Sequence, residues 1–82
     1  MILVDVHVPS IDMAFDFMMD ADVPVGVLVR EAADILSHKL QEELKDPDRH
    51  FVLCSPDKQC ILPEDNTLKE CGIPGGSRLL LV

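Results

Sequence analysis

Leu68-Lys69-Glu70-Cys71-Gly72-Ile73-Pro74-Gly75-Gly76-Ser77-Arg78-Leu79-Leu80-Leu81-Val82 sets the architecture for the rest of the chain. Thr67, just before it, can cap one helical turn over Thr67–Glu70, because its hydroxyl accepts an orphan backbone N–H. Gly72 stands where a left-handed residue would end that turn. Ile73 follows as an apolar plug. Pro74-Gly75-Gly76-Ser77 is a turn signal, with proline presetting φ and glycine supplying positive φ. Arg78 to Val82 then reads as a short apolar strand. Such a strand must pair with one laid down earlier, and the N-terminal segment has the same character.

That segment alternates. Ile2, Val4, Val6 and Val8 share one face, and Leu3, Asp5 and His7 the other, the period of a half-buried strand. Pro9-Ser10 turns the chain. Ile11 to Met19 alternates again, with Ile11, Met13, Phe15, Phe17 and Met19 inward, so the pair predicts an antiparallel hairpin. Asp5 and Asp16 fall near each other on its outer face, a mild like-charge penalty. Pro24 suits the start of a helix, and Asp22 is placed to cap it. Val25, Leu28, Val29, Ala32, Ala33, Leu36 and Leu40 recur at helical spacing, with Ile35 and Leu44 on the shoulders. The stripe predicts a helix from Val25 to about Leu44. Gly26 weakens its first turn. Lys45-Asp46-Pro47-Asp48-Arg49 ends it, because the residue before proline avoids the α region. His50 to Ser55 reads as a third strand, Pro56-Asp57-Lys58 as a turn, and Gln59 to Leu62 as a short fourth strand.

Composition bounds the function. Eighty-two residues make one domain, 1–82, with one modest core, and a hydrophobic fraction of 48% argues against disorder. No apolar run reaches the ~20 residues of a membrane span, so membrane insertion is not expected. The N-terminus lacks a basic leader, so a secretory signal is not expected either. Fifteen acidic residues against seven basic ones leave a net charge of −8. Phosphate binding needs clustered Lys and Arg, so nucleic acid is not an expected partner. The acidity serves solubility or a basic protein partner. Three cysteines, Cys54, Cys60 and Cys71, cannot all pair, which fits reduced thiols in the cytoplasm. Cys54 and Cys60 flank a turn and could face one another across it.

The order is strand, strand, long helix, strand, short strand, helical turn, strand. One helix on one face of a mixed four- to five-stranded sheet is an α+β arrangement. With the last strand parallel to the first, it is the ubiquitin-like β-grasp. Leu62, Leu68, Cys71-Gly72-Ile73 and Ser77-Arg78-Leu79-Leu80-Leu81 resemble the second half of ubiquitin in the spacing of their apolar positions. Leu68-x-x-Cys71-Gly72-Ile73-x-x-Gly76-x-x-Leu79 is similar to the YukD/EsaB-type ubiquitin-like proteins of bacterial type VII secretion. The Val4-Asp5-Val6-x-Val8 opening and Val23-Pro24-Val25 resemble them too. The resemblance implies a non-enzymatic adaptor or regulatory subunit in the cytoplasm of a Gram-positive bacterium. Its partners would be proteins, a membrane component of the secretion system among them. No catalytic residue and no cofactor carry over.

A second reading is a β-grasp modifier or sulfur carrier. Those proteins end in a diglycine tail with an activated carboxylate, whereas Gly75-Gly76 is followed by six residues read as turn and strand. Glycine's role in turns favours the structural reading. Metal binding is weak as well. His7, His38, His50 and the cysteines show no zinc spacing, and His50 and Cys54 would stand ~13 Å apart along a strand. Cys71 reads as a small buried hydrophobe rather than a nucleophile.

What remains is the sheet face opposite the helix. Parity puts Leu3, Leu80 and Val82 outward, together with Val52 or the pair Phe51 and Leu53. Leu3, Val52, Leu80 and Val82 are the expected partner-binding residues, since apolar patches on an acidic surface mark interaction sites. Leu3 and Leu80 are expected to be neighbours. A homodimer through the same face is the competing use.

Overall fold

The computed structural model describes residues 1–40 and 51–82, apart from the side chains of residues 39 and 40. The forecast helix end near Leu44 and its stop at Lys45 to Arg49 lie outside these residues, as does His50, and the third strand, expected from His50, starts only at Leu53 among the described residues. The elements are β1 (Ile2–Val8), a 3-10 turn (Pro9–Ile11), β2 (Met13–Met19), α1 (Val25–Leu40), β3 (Leu53–Ser55), β4 (Cys60–Ile61) and β5 (Arg78–Leu81). The sheet order is β2-β1-β5-β3-β4. β5 lies in the middle, parallel to β1 and antiparallel to β3. This is the α+β, ubiquitin-like β-grasp sheet with one helix.

Period-two patterning sorts the strands as expected. Val4, Val6 and Val8 of β1 and Leu79 and Leu81 of β5 are buried, and Leu53 is buried on β3. They meet Val25, Leu28, Val29, Ala32 and Leu36 from α1, with Met19, Leu62, Leu68 and Ile73 closing the core. Burying Leu53 resolves the open choice on the third strand in favour of Val52 as the outward residue. Val52 exchanges both backbone hydrogen bonds with Val82, at 2.7 and 3.0 Å, extending the β3–β5 ladder past the strand ends.

Three local expectations need correction. β2 starts at Met13, not Ile11. The proline opens a 3-10 turn, and Asp12 closes it in the left-handed region at φ 52°, donating its N–H to the Pro9 carbonyl. Ile11 therefore belongs to the turn, and Met13, opposite Val8 on an edge strand, is 44% exposed. Second, Asp22 does not hold the start of α1. Its N–H bonds the Asp20 carboxylate at 3.0 Å, while Val25 and Gly26 donate to the carbonyls of Asn66 and Glu64 at 2.8 and 3.0 Å. The loop after Leu62 thus caps the helix through its backbone. A Cβ at position 26 would stand 3.3 Å from the Glu64 Cβ, so any larger residue there obliges Glu64 to give by a few tenths of an ångström. Third, β4 is shorter than Gln59 to Leu62, because Gln59 takes a left-handed φ of 54° in the turn.

The turn after Thr67 forms as forecast and is closed at both ends. Glu70 N–H donates to Thr67 Oγ1 at 3.1 Å, and Thr67 N–H donates to Glu70 Oε1 at 2.9 Å, a capping box. Ile73 N–H reaches the Leu68 carbonyl and Gly72 N–H the Lys69 carbonyl, at 2.9 and 3.1 Å. That bond pair around a left-handed Gly72 is a Schellman closure, and it buries Leu68 against Ile73.

Candidate protein-binding face

The sheet face away from α1 is built row by row from the strand register. Asp5 stands opposite Asp16 on β2 and Arg78 on β5. Asp5 Oδ2 lies 3.0 Å from His7 Nε2 and 3.9 Å from Arg78 Nε. A cation on one side and an imidazole on the other thus offset the like-charge pairing of the two aspartates. One row further along β1, His7 stands opposite Leu80, Leu80 opposite Cys54, and Cys54 opposite Ile61. The Val82–Val52 pair forms the next row. Leu80 is half-buried, whereas Ile61 is 63% and Val82 49% exposed.

Leu80 separates two shallow hollows. One, of about 280 Å³, lies toward β4 and is lined by Cys54, Pro56, Gln59 and Ile61. The other, of about 220 Å³, lies toward the hairpin and is lined by His7, Pro9, Asp12 and Met13. Of the forecast residues, Leu80, Val82 and Val52 come together here. Leu3 does not. It is opposite Met18 and accepts the Gly76 N–H on its carbonyl, so it sits on the far side of the Asp16–Asp5–Arg78 row. His7 lies four positions further along the strand, ~13 Å at the ordinary rise. The expected adjacency of Leu3 and Leu80 is therefore wrong by a shift along β1, although both point outward. Cys54 and Ile61, which the sequence reading left out, complete the apolar row. Strand parity from Val52 would have placed Cys54, and the hairpin register then gives Ile61.

The diglycine is not a tail. Gly76 N–H donates to the Leu3 carbonyl at 2.7 Å, and Asp5 N–H donates to the Ser77 carbonyl at 2.9 Å. Ser77 Oγ closes the turn on the Pro74 carbonyl at 2.7 Å. These bonds tie Gly75-Gly76 to β1, with Gly76 at a left-handed φ of 83°.

The cysteines are free thiols. Cys54 and Cys60 do not face one another: Cys60 is paired with buried Ser55, so its side chain projects from the opposite face to that of Cys54. Cys71 packs against the core. Burial first, then the neighbouring Cys60 and Glu70, push its thiol pKa up, while Lys58 acts in the other direction. Among the described residues no group of three His, Cys, Asp or Glu side chains is placed to hold a metal ion, and His50 lies outside them. No described helix is long and apolar enough to cross a membrane.

Solved structures with the same fold include the EccD5 ubiquitin-like domain from Mycobacterium xenopi, at a TM-score of 0.77 and 21% identity over 99% of this chain and 91% of that one. The ubiquitin-like domain of the Mycobacterium tuberculosis type VII secretion system protein ECCD1 matches at 0.70 and 22% identity, over 100% and 99%. A chain of the MycP5-free ESX-5 inner membrane complex matches at 0.77 and 23% identity, over 99% of this chain and 20% of that one. At such identities the likeness is one of fold. No curated protein matches the chain. The family model described as "WXG100 protein secretion system (Wss), protein YukD" matches residues 3–81 of the 82. The chain, a ubiquitin-like β-grasp throughout its described residues, belongs to the YukD family of the WXG100 protein secretion system.

Proposed function

We propose that residues 1–82 act as a single ubiquitin-like domain, a non-enzymatic adaptor or regulatory subunit of a type VII-like secretion system in the cytoplasm of a Gram-positive bacterium. It docks a protein partner, a membrane component of the apparatus, on the outward sheet face. Leu80, Val52 and Val82 form the contact, and Leu3 meets the partner beyond the charged row. The observation that carries this reading is the position of Leu80: an aliphatic side chain between two hollows, with Cys54 and Ile61 beside it and, among the described residues, no helix over it. Burying such a side chain in a partner contributes ~1.5–3 kcal/mol. Family membership supports the secretion context, and the fold shared with one fifth of a chain of an inner membrane complex supports the kind of partner. The modifier or sulfur-carrier reading is disfavoured, because the diglycine is tied into the turn before β5 rather than presented at a free end.

The test is genetic complementation. A strain lacking the chain should stop exporting its small WXG100-type substrates while still making them, and the wild-type chain should restore export. Leu80→Asp should keep its thermal midpoint near that of the wild type and fail to restore export. Full export by the variant, at wild-type protein levels, would remove the sheet face from the function. Export that persists without the chain would remove the secretion role itself.

A further inference from the structure

The second exposed feature lies at the β2 edge of the sheet and involves none of Leu80, Val52 and Val82. β2 is an edge strand. Its seven residues, Met13 to Met19, pair with β1 in unbroken register, and among the described residues no strand covers the other side. The segment has no Pro, Lys or bulge, and Asp16 is its one charge, whereas Pro, charges and bulges are the usual devices that keep a foreign strand from adding to such an edge. β4, at the other edge, has two residues and is too short to serve as a template.

Beside the second half of β2 the sheet and α1 part to leave a groove of about 220 Å³. Phe17 and Met19 line it from the strand, and Leu28 and Ile35 from the helix. Ile35 is 52% exposed on the flank of the helix, apolar where the helix pattern has no need of an apolar residue. Asp20 and Glu31 also line the groove, and among the described residues no lysine or arginine does.

We propose that this edge and groove receive an extended segment of a protein partner, which adds a strand alongside Phe17–Met19. Its alternate aliphatic side chains enter the groove, and Lys or Arg flanking them meet Asp20 and Glu31. Only an extended chain satisfies the open backbone groups of an edge strand, and alternate side chains then fall on the groove side. The acidic lining sets the sign of the flanks, since charge complementarity selects partner and register. A second copy of this chain is the wrong occupant. Its β2 brings Asp16 and no Lys or Arg to the acidic lining, and antiparallel β2–β2 pairing about Asp16 or Met18 sets carboxylates opposite each other. Like charges directly opposite destabilise a sheet, and each copy carries a net charge of −8.

The probe is a displayed library of random twelve-residue peptides, selected on the immobilised chain, with the winners mapped by amide chemical shifts. Enriched peptides should alternate aliphatic residues between Lys or Arg flanks. They should shift the amides of Phe17 to Asp20 and of Leu28 to Ile35. Ile35→Lys, at an exposed position that leaves the core alone, and Glu31→Lys should each weaken binding at least tenfold. Replacing the basic flanks by Glu should do the same. The proposal is overturned by any of four results: no enrichment, winners that bind as helices or carry acidic flanks, shifts confined to the His7–Leu80 face, or a dimer that forms through β2 in sedimentation. Binding at the Leu80 face would leave the proposed function standing while removing this groove.

Discussion

Replacing Leu36 by alanine tests the helix–sheet core at its centre. Leu36 is 0% exposed, so the whole side chain is removed from contact with core neighbours and not from water. Three carbons are lost, each worth roughly 0.8 kcal/mol of burial, or about 2.4 kcal/mol together. A residual void of about 50 Å³ adds about 1 kcal/mol at roughly 24 cal/mol per Å³. Alanine recovers only a few tenths in helix propensity. The expected loss is therefore about 3 kcal/mol, against a total of about 4–12 kcal/mol for a domain of this size. At ~4–8 °C per kcal/mol the thermal midpoint should fall by about 12–24 °C. Ile35→Ala is the matched control, one residue away and 52% exposed, and should cost under about 1 kcal/mol. Urea unfolding followed by far-UV circular dichroism reads both, provided the m value is unchanged. A Leu36→Ala loss below about 1 kcal/mol, or equal losses at the two positions, would mean that α1 does not present this face to the sheet.

Deleting Leu79 to Val82 removes β5, the only link between β1 and β3 among the described strands, and should abolish cooperative thermal unfolding; a truncated chain with a sharp transition would contradict the strand order. Gly76→Ala should cost about 1–2 kcal/mol, the penalty of a Cβ at left-handed φ, because no atom lies within 4 Å to add a clash. Gly75→Ala meets only an ordinary contact 3.7 Å from Ile2 and should be near neutral, so equal midpoints for the two variants would refute the turn geometry. Cys71, its thiol pKa raised by burial, should react with iodoacetamide more slowly than exposed Cys60, as read by mass spectrometry of the labelled peptides. The unfolded chain releases the Cys71 proton at lower pH than the folded chain does. The contribution of this group is thus fully present below the ordinary thiol range near ~8.5 and is lost as pH rises through the folded value. A Cys71→Ala variant with an unchanged alkaline stability profile would speak against it.

Much of this architecture can be read from residues close in sequence. Alternation separates Leu79 and Leu81 from Leu80, and the helical stripe separates Leu36 from Ile35, because side-chain direction follows local periodicity. The turn at Leu68–Ile73 is legible for the same reason: its cap, its left-handed glycine and its plug lie within a few residues. Two misses are local, the left-handed residues Asp12 and Gln59 that shorten β2 and β4, and the others involve the chain meeting itself at a distance. Parity gives the face on which Leu3 and Leu80 lie, but the shift between two parallel strands is set by the turn that ties Gly76 to Leu3. Nothing near Asp22 reveals that carbonyls of residues 64 and 66 take the first helical N–H groups. Cys54 escaped notice because cysteine reads first as a thiol, although on this strand it serves as a small apolar neighbour of Leu80.

The central place of β5 bears on how the chain is born. Val6 pairs with Leu79, 73 positions later, so the first strand has one flank bare until those residues have been made. At ~5–20 residues per second, translation takes roughly 4–15 s to cover that span. A hairpin such as β1–β2 forms in ~1–10 μs. The nascent hairpin and helix therefore wait, for a time vastly longer than their own formation, with Val4, Val6 and Val8 lacking the neighbours Leu79 and Leu81 will provide. Closure must follow the synthesis of Leu81 and proceed in one late step, and whatever shields apolar surface at the ribosome exit has its longest task on the first strand of this protein.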